Sequence, residues 1–285
     1  MFRHYKICSH RVRIEAPMFL SDSPDWKKFE TAECEPDISV DCRLCSELPP
    51  CGEQARGRAG EISVSSGSGR VYRTFQLGGS SGAMTCYNPE DTSKSITWFT
   101  EDCYRVLTDE RYFWHSVSLA QLMLAKNTVF LHSSFIEYNG KAILFTGHCG
   151  VGKSTQAELW SRFANALTVN GDKAGVSVKN GSVYAHGLPF CGTSGICLNK
   201  SLPLGAVVVL GQASNNRVER LVGVEALREF MKNIYLDLLA PGENGSCVDL
   251  TAQILASVPV YRLECVPDET AVIALKEELE RGGVV

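Results

Sequence analysis

Residues 146–155 read TGHCGVGKST, and Gly147-x4-Gly152-Lys153-Ser154 satisfies the pattern GxxxxGK[ST] in full. Each residue type in that pattern has a chemical reason. Glycines let successive backbone N–H groups turn inward and form an anion-binding concavity. A helix that follows adds unsatisfied N–H donors and the positive end of its dipole. Lys153 brings a mobile full charge to the outer phosphates, and the Ser154 hydroxyl has the right length to bind Mg2+. The expected cofactors are therefore ATP and Mg2+. Gly147, His148, Cys149, Gly150, Val151, Gly152, Lys153, Ser154 and Thr155 are expected to line the nucleotide. His148 and Cys149 are chemically capable side chains, but they read as loop-filling positions rather than catalysts.

Phosphoryl transfer also needs a metal carboxylate, a group to orient or deprotonate the acceptor, and positive charge for the transition state. The most apolar strand candidate, AVVVLGQ, ends in Gly211-Gln212 and offers no acid. LTVNGDKAGV does offer one: Asp172 follows an apolar run, and Gly171 lets the chain turn. Asp172 is expected to be the metal or catalytic carboxylate. An aspartate that only shapes a tight turn is the alternative.

These residues need a scaffold. KAILFT before the loop reads as a strand and KSTQAELWSRF after it as a helix. FLHSSFIEY and KAILFT flank Asn139-Gly140, the strongest short hairpin signal, because both residues tolerate positive φ. The loop's strand should thus have an antiparallel neighbour just before it, which predicts a mixed sheet. Asn180-Gly181 marks a second hairpin in AGVSVKNGSVYAHG. LGAVVVLGQ and VPVYRLEC read as strands, and VGVEALREFMKNIYLDLL and DETAVIALKEELER as helices. Upstream, YKICSHRVRIEAP, RVYRTFQL and SITWF read as strands, GRAGEISVSSGSGRVY as a hairpin, and 33–60 as mostly loop. DERYFWHSVSLAQLMLAK, 109–126, has helical spacing; His115 on it reads as a packed residue. The expected organisation is a β-rich accessory region over 1–110 and a nucleotide-binding domain over 111–285.

The bulk numbers exclude some classes. Net charge is −4, so no basic field holds nucleic acid or an anionic membrane. No apolar run approaches the roughly 18 residues of a membrane span. The N-terminus lacks the apolar core of a signal peptide, so the expected location is cytoplasmic. Among 12 cysteines, Cys42-x-x-Cys45 with Cys34 and Cys51 nearby could hold zinc, but free thiols in a loop are the expected state.

In their order, the residues from about 131 to 280 resemble the catalytic domain of HPr kinase/phosphorylase, more closely its kinase-like members of unassigned substrate. That fold is related to phosphoenolpyruvate carboxykinase. His132-Ser133-Ser134 with FIEYNGKAILFTG is similar to the strand pair leading into that family's loop. NGDKAGV stands where the family has two aspartates, GLPFCGTSG resembles a segment near the nucleotide, and NNRVERL resembles an arginine-bearing segment. The fold class implied is α/β, a mixed-sheet P-loop domain of HPr kinase/phosphoenolpyruvate carboxykinase type with a β-rich N-terminal region. The resemblance implies that Lys153 holds phosphates. It implies that Asp172, helped by His132 or more weakly by Glu137, takes the acceptor's proton. Arg217 or Arg220 would neutralise the transferred group, Arg220 being equally readable as a surface ion pair. The expected acceptor is a hydroxyl, first a serine in a protein or peptide. The alternatives are a small-molecule acceptor such as free serine, and an inactive nucleotide-binding module. The segment used for phosphorolysis has no counterpart, which implies a kinase alone. Bifunctional relatives are oligomers, so the resemblance also implies a homo-oligomer.

Overall fold

The structure is a computed structural model and describes residues 2–17, 23–52, 54–236, 240 and 242–285. The chain divides into two compact units, one of Met1–Lys126 with Leu236–Cys247, the other of Asn127–Tyr235 with Val248–Val285. The division thus falls at 126/127 rather than at 110/111.

The first unit carries a nine-stranded sheet. Its strands are β1 (Phe2–Ile7), β2 (His10–Glu15), β3 (Glu30–Thr31), β4 (Ile38–Cys45), β5 (Gln54–Ala59), β6 (Ile62–Gly67), β7 (Arg70–Leu77), β8 (Ser80–Asn88) and β9 (Asp91–Thr100). Their spatial order is β3-β1-β2-β4-β9-β8-β7-β6-β5. Short helices α1 (Pro24–Lys27), α2 (Glu101–Leu107), α3 (Glu110–Ser116) and α4 (Leu119–Leu124) complete it. α2 and α3 pack on β8, which is why the unit extends past residue 110. The helical pattern of 109–126 breaks at Ser118, whose φ is 55°. α4 is buried along its whole length, so no single stripe has to stay in phase across the break.

The stretch 33–60 is not mostly loop. β4 runs parallel to both β2 and β9, with Ile38, Val40 and Cys42 alternating inward. Prolines 36, 49 and 50 mask that two-residue period in the sequence. The alternation also separates the cysteines. Cys42 is buried, whereas Cys45, three residues on, faces the other side and donates to the Phe99 carbonyl at 3.4 Å. Cys51 is exposed and Cys34 lies 3.9 Å from His4 Nδ1, so these four form no ligand cluster.

The second unit is built on β10 (Thr128–Tyr138), β11 (Lys141–Thr146), β12 (Leu167–Asn170), β13 (Lys173–Lys179), β14 (Ser182–His186), β15 (Ser201–Gln212), β16 (Arg217–Leu221) and β17 (Val260–Cys265). The order is β11-β10-β13-β14-β15-β17-β16, with β11 also pairing β15 and β12 pairing β10. β10–β11 is antiparallel while β11–β15 and β15–β17 are parallel, so the sheet is mixed. Both Asn-Gly turns form as the sequence predicts, with φ of 48° and 75° at Asn139-Gly140 and 51° and 75° at Asn180-Gly181.

Helices α5 (Lys153–Ala164), α6 (Gly223–Met231), α7 (Glu243–Leu255) and α8 (Glu269–Arg281) follow. Residues 237–239 of the helix expected over 222–239 lie outside the described residues. α5 and α8 bury Ala157, Trp160, Val272 and Leu275 with Ile143, Phe145, Val208 and Leu263 of the sheet. That core fixes where α5 starts, and so where the 147–152 turn must run. Among the described residues no helix is long and apolar enough to cross a membrane.

Candidate functional site

β10 changes partner in mid-strand. On one edge residues 128–132 pair with β13 and 135–137 with β12, and on the other edge 133–138 pair with β11. Pairing with β13 ends at His132, which opposes Lys173, and pairing with β11 begins at Ser133, which opposes Thr146 at the end of β11. The junction thereby sets the glycine loop on one side of β10 and the Asn170–Lys173 turn on the other. Thr146 Oγ1 donates to the His132 carbonyl at 2.7 Å, and Ser133 N–H donates to the Asp172 carbonyl at 3.0 Å.

The loop itself is tight. Gly147, Gly150 and Gly152 have φ of 139°, 79° and 110°, conformations that a side chain would strain. Gly152 caps α5 in the left-handed region, and Lys153 opens the helix. Lys153 is buried, and its Nζ donates to the carbonyls of Gly147 and His148, each at 3.1 Å. Burial lowers the pKa of this ammonium, while nearby Asp172 acts to raise it. Ser154 and Thr155 are exposed at the first turn, and Ser154 Oγ lies 3.5 Å from the Gly171 carbonyl. His148 and Cys149 are exposed at the tip, and His148 Nδ1 lies 2.8 Å from the Cys149 carbonyl. Val151 turns inward into the core.

Asn170 shapes the opposite turn. It is buried, and its Oδ1 accepts from the N–H groups of Asp172 and Lys173, each at 2.9 Å. Its Nδ2 donates to the carbonyls of Leu188 and Phe190 at 3.0 and 3.2 Å. The Asp172 carboxylate then receives two partners, an imidazole and an ammonium. His132 Nε2 lies 3.3 Å from Oδ1, and Lys173 Nζ bonds Oδ2. Burial would raise the carboxyl pKa, but the His132 bond and the Lys173 charge outweigh it and hold the value at about 2. Lys173 Nζ also lies 5.0 Å from the centre of the Tyr235 ring, whose centroid is 6.1 Å from that of His132. Tyr235 is placed by its own N–H, which donates to the Phe130 carbonyl at 2.7 Å.

Gly171 and Gly192 are close-approach positions. A Cβ on Gly171 would stand 2.1 Å from Ser194 Oγ and 2.3 Å from Ser194 Cβ. Gly192 has φ +57°, and a Cβ there would stand 2.7 Å from Asp172 Cγ. The 192–195 segment therefore lies directly against the Gly171-Asp172 turn. Ser194 therefore leaves no room for a side chain at position 171.

The structure thus brings together Lys153, Ser154, His132 and Asp172. It does not bring the other candidates there. Arg217 is exposed on edge strand β16, 3.4 Å from Glu219 and two strands beyond β15, roughly 10 Å away. Arg220 is exposed on the same strand. Glu137 lies five residues along β10 from His132, about 16 Å, and is paired with Lys200. The sequence reading passed over Lys173, Asn170, Tyr235 and Ser194. Only Asn170 carried a local signal, an Asx turn before Gly-Asp. The others reach the site through register.

A metal needs oxygen donors beside a counter-charge, and the turn offers the Asp172 carboxylate one residue from the Gly171 carbonyl, which lies 3.5 Å from the Ser154 hydroxyl. A lysine ammonium already stands on that carboxylate as a cation would, so the donor set fits a small hard cation.

No family model matches the chain, and no curated protein sequence matches it. Among solved structures it is similar to the HPr(Ser) kinase/phosphatase from Coxiella burnetii. The TM-score is 0.31 at 12% identity, covering 54% of this chain and 95% of that one. This is a weak structural similarity and no more.

Proposed function

We propose that the chain is an ATP-dependent kinase that transfers the γ-phosphoryl group to a hydroxyl acceptor, first a serine of a protein or peptide. One observation carries the reading. A GxxxxGKS loop opening a helix sits beside an Asp–His pair, the two joined through a single strand junction at His132-Ser133.

Bound Mg2+ would supply charge neutralisation across the phosphates. Backbone N–H groups of 147–154 and the Lys153 ammonium would hold the phosphates, which requires Lys153 Nζ to leave the loop carbonyls it now caps. Ser154 and Asp172 would offer the oxygen ligands. Asp172, held strongly acidic by the His132 hydrogen bond and the Lys173 charge, is a poor proton acceptor. The role therefore passes to His132. Asp172 orients its imidazole through Nε2, leaving Nδ1 to take the acceptor's proton. The location consistent with such a kinase is cytoplasmic.

Incubation with γ-labelled ATP and separate pools of peptides and of free hydroxy amino acids tests the function. Label transfer that Lys153→Ala abolishes is the expected result. ATP binding without transfer or hydrolysis at any metal concentration would instead support a nucleotide-binding module.

A further inference from the structure

Both oxygens of Asp172 are already engaged. Oδ1 faces His132 Nε2 at 3.3 Å and Oδ2 is bonded by Lys173 Nζ. The lysine is held from three directions. Its backbone N–H donates to Asn170 Oδ1 at 2.9 Å, its place opposite His132 is fixed by the β10–β13 register, and its ammonium lies over the Tyr235 ring. Its side chain is 11% exposed, so the ion pair is largely sheltered from water. A divalent cation approaching this carboxylate must evict a positive charge that sits in a prepared place. It would gain only one carboxylate in return, from a protein already carrying Lys153 close by. Mg2+ gives up its waters reluctantly and binds best where phosphates complete its shell.

We propose that Lys173 is the resident counter-cation of Asp172, excluding free divalent cations from the site and yielding the carboxylate only when a nucleotide arrives. Incoming phosphates give the displaced ammonium a new anionic partner, so Lys173 becomes a phosphate-contacting residue in the loaded state. It thereby supplies positive charge that Arg217, two strands beyond β15, does not bring to this cluster. Metal and nucleotide binding are then strongly coupled, and the coupling acts equally in both directions. This inference rests on the kinase reading, but its first half, the guarding of Asp172, is measurable without ATP.

The test is Mn2+ titration of the full chain followed by the electron paramagnetic resonance signal of free Mn2+, with and without a non-hydrolysable ATP analogue. Wild type should bind Mn2+ weakly alone and at least about tenfold more tightly with the analogue. Lys173→Met should raise Mn2+ affinity without nucleotide by about tenfold or more, and Lys173→Arg should not. Asp172→Asn should abolish the gain in the Lys173→Met background. Equal Mn2+ affinity of wild type and Lys173→Met, both folded by circular dichroism, would overturn the proposal. If Lys173→Met does not fold, Lys173→Gln carries the same comparison. Should wild type bind no nucleotide, the kinase reading fails, while the metal-only comparison still decides whether Lys173 guards Asp172.

Discussion

His132 Nε2 lies 3.3 Å from Asp172 Oδ1, although the two residues are 40 positions apart in the chain. The pair exists because β13 and β12 both pair one edge of β10, with His132 opposite Lys173 and Phe135 opposite Asn170, so the Asp172 turn between them lies against His132, while β11 on the other edge brings the glycine loop. If His132 takes the acceptor's proton, His132→Ala should lower the transfer rate by about 10²- to 10⁴-fold and leave nucleotide affinity nearly unchanged. Single-turnover transfer alongside equilibrium binding checks this. A parallel loss of affinity would assign His132 to nucleotide binding instead.

The same carboxylate makes stability depend on acid. Its folded pKa of about 2 lies below the ordinary 3.8 despite burial, because His132 and Lys173 stabilise the ionised form. A lowered folded value means stabilisation that is full above the unfolded pKa and is lost as pH falls through the folded one. The gap corresponds to on the order of 2 kcal/mol. Wild type should therefore melt higher than Asp172→Asn at neutral pH, and the difference should close between about pH 4 and pH 2. A Tm difference that is constant over that range contradicts the assignment.

The turn has no room for a side chain at Gly171. Its missing Cβ would lie 2.1 Å from Ser194 Oγ and 2.3 Å from Ser194 Cβ. Gly171→Asp should destabilise the protein by about 1–3 kcal/mol. Ser194→Gly, which clears both atoms, should recover most of that loss, while Ser194→Ala should recover less. Thermal melts of the single and double variants measure it.

The first unit holds a buried ion pair of its own. Arg73 is 2% exposed, and Glu243 accepts from it at 3.1 Å and from the Tyr87 hydroxyl at 2.7 Å. Burial and the Glu243 charge push the Tyr87 hydroxyl pKa well above its ordinary value, which keeps it a neutral donor. Glu243→Ala leaves the guanidinium without this counter-ion and should cost about 3–5 kcal/mol, read by denaturant unfolding.

Much of this site was legible in the residues. The loop, the strand and helix around it, and both Asn-Gly hairpins follow from short-range patterns, so they appear where the sequence puts them. β4 was not legible, because a parallel strand needs distant partners and flanking prolines hid its alternation. α7 was also missed, since Asn-Gly-Ser in its first turn are poor helix formers that packing overrides. Lys173 escaped notice for another reason. Adjacent strand residues point to opposite faces, so an ion pair between Asp172 and Lys173 arises only because the Asn170 turn has not yet become regular strand.

Transfer of labelled phosphate from ATP is the most direct measurement of the central claim. With a peptide pool containing serine, wild type should show Mg2+-dependent label on hydroxyl side chains. Lys153→Ala should show none, and Asp172→Asn should fall by about 10³-fold or more. Label transfer that is unchanged in Lys153→Ala, or that persists in Asp172→Asn at the wild-type rate, would contradict the account.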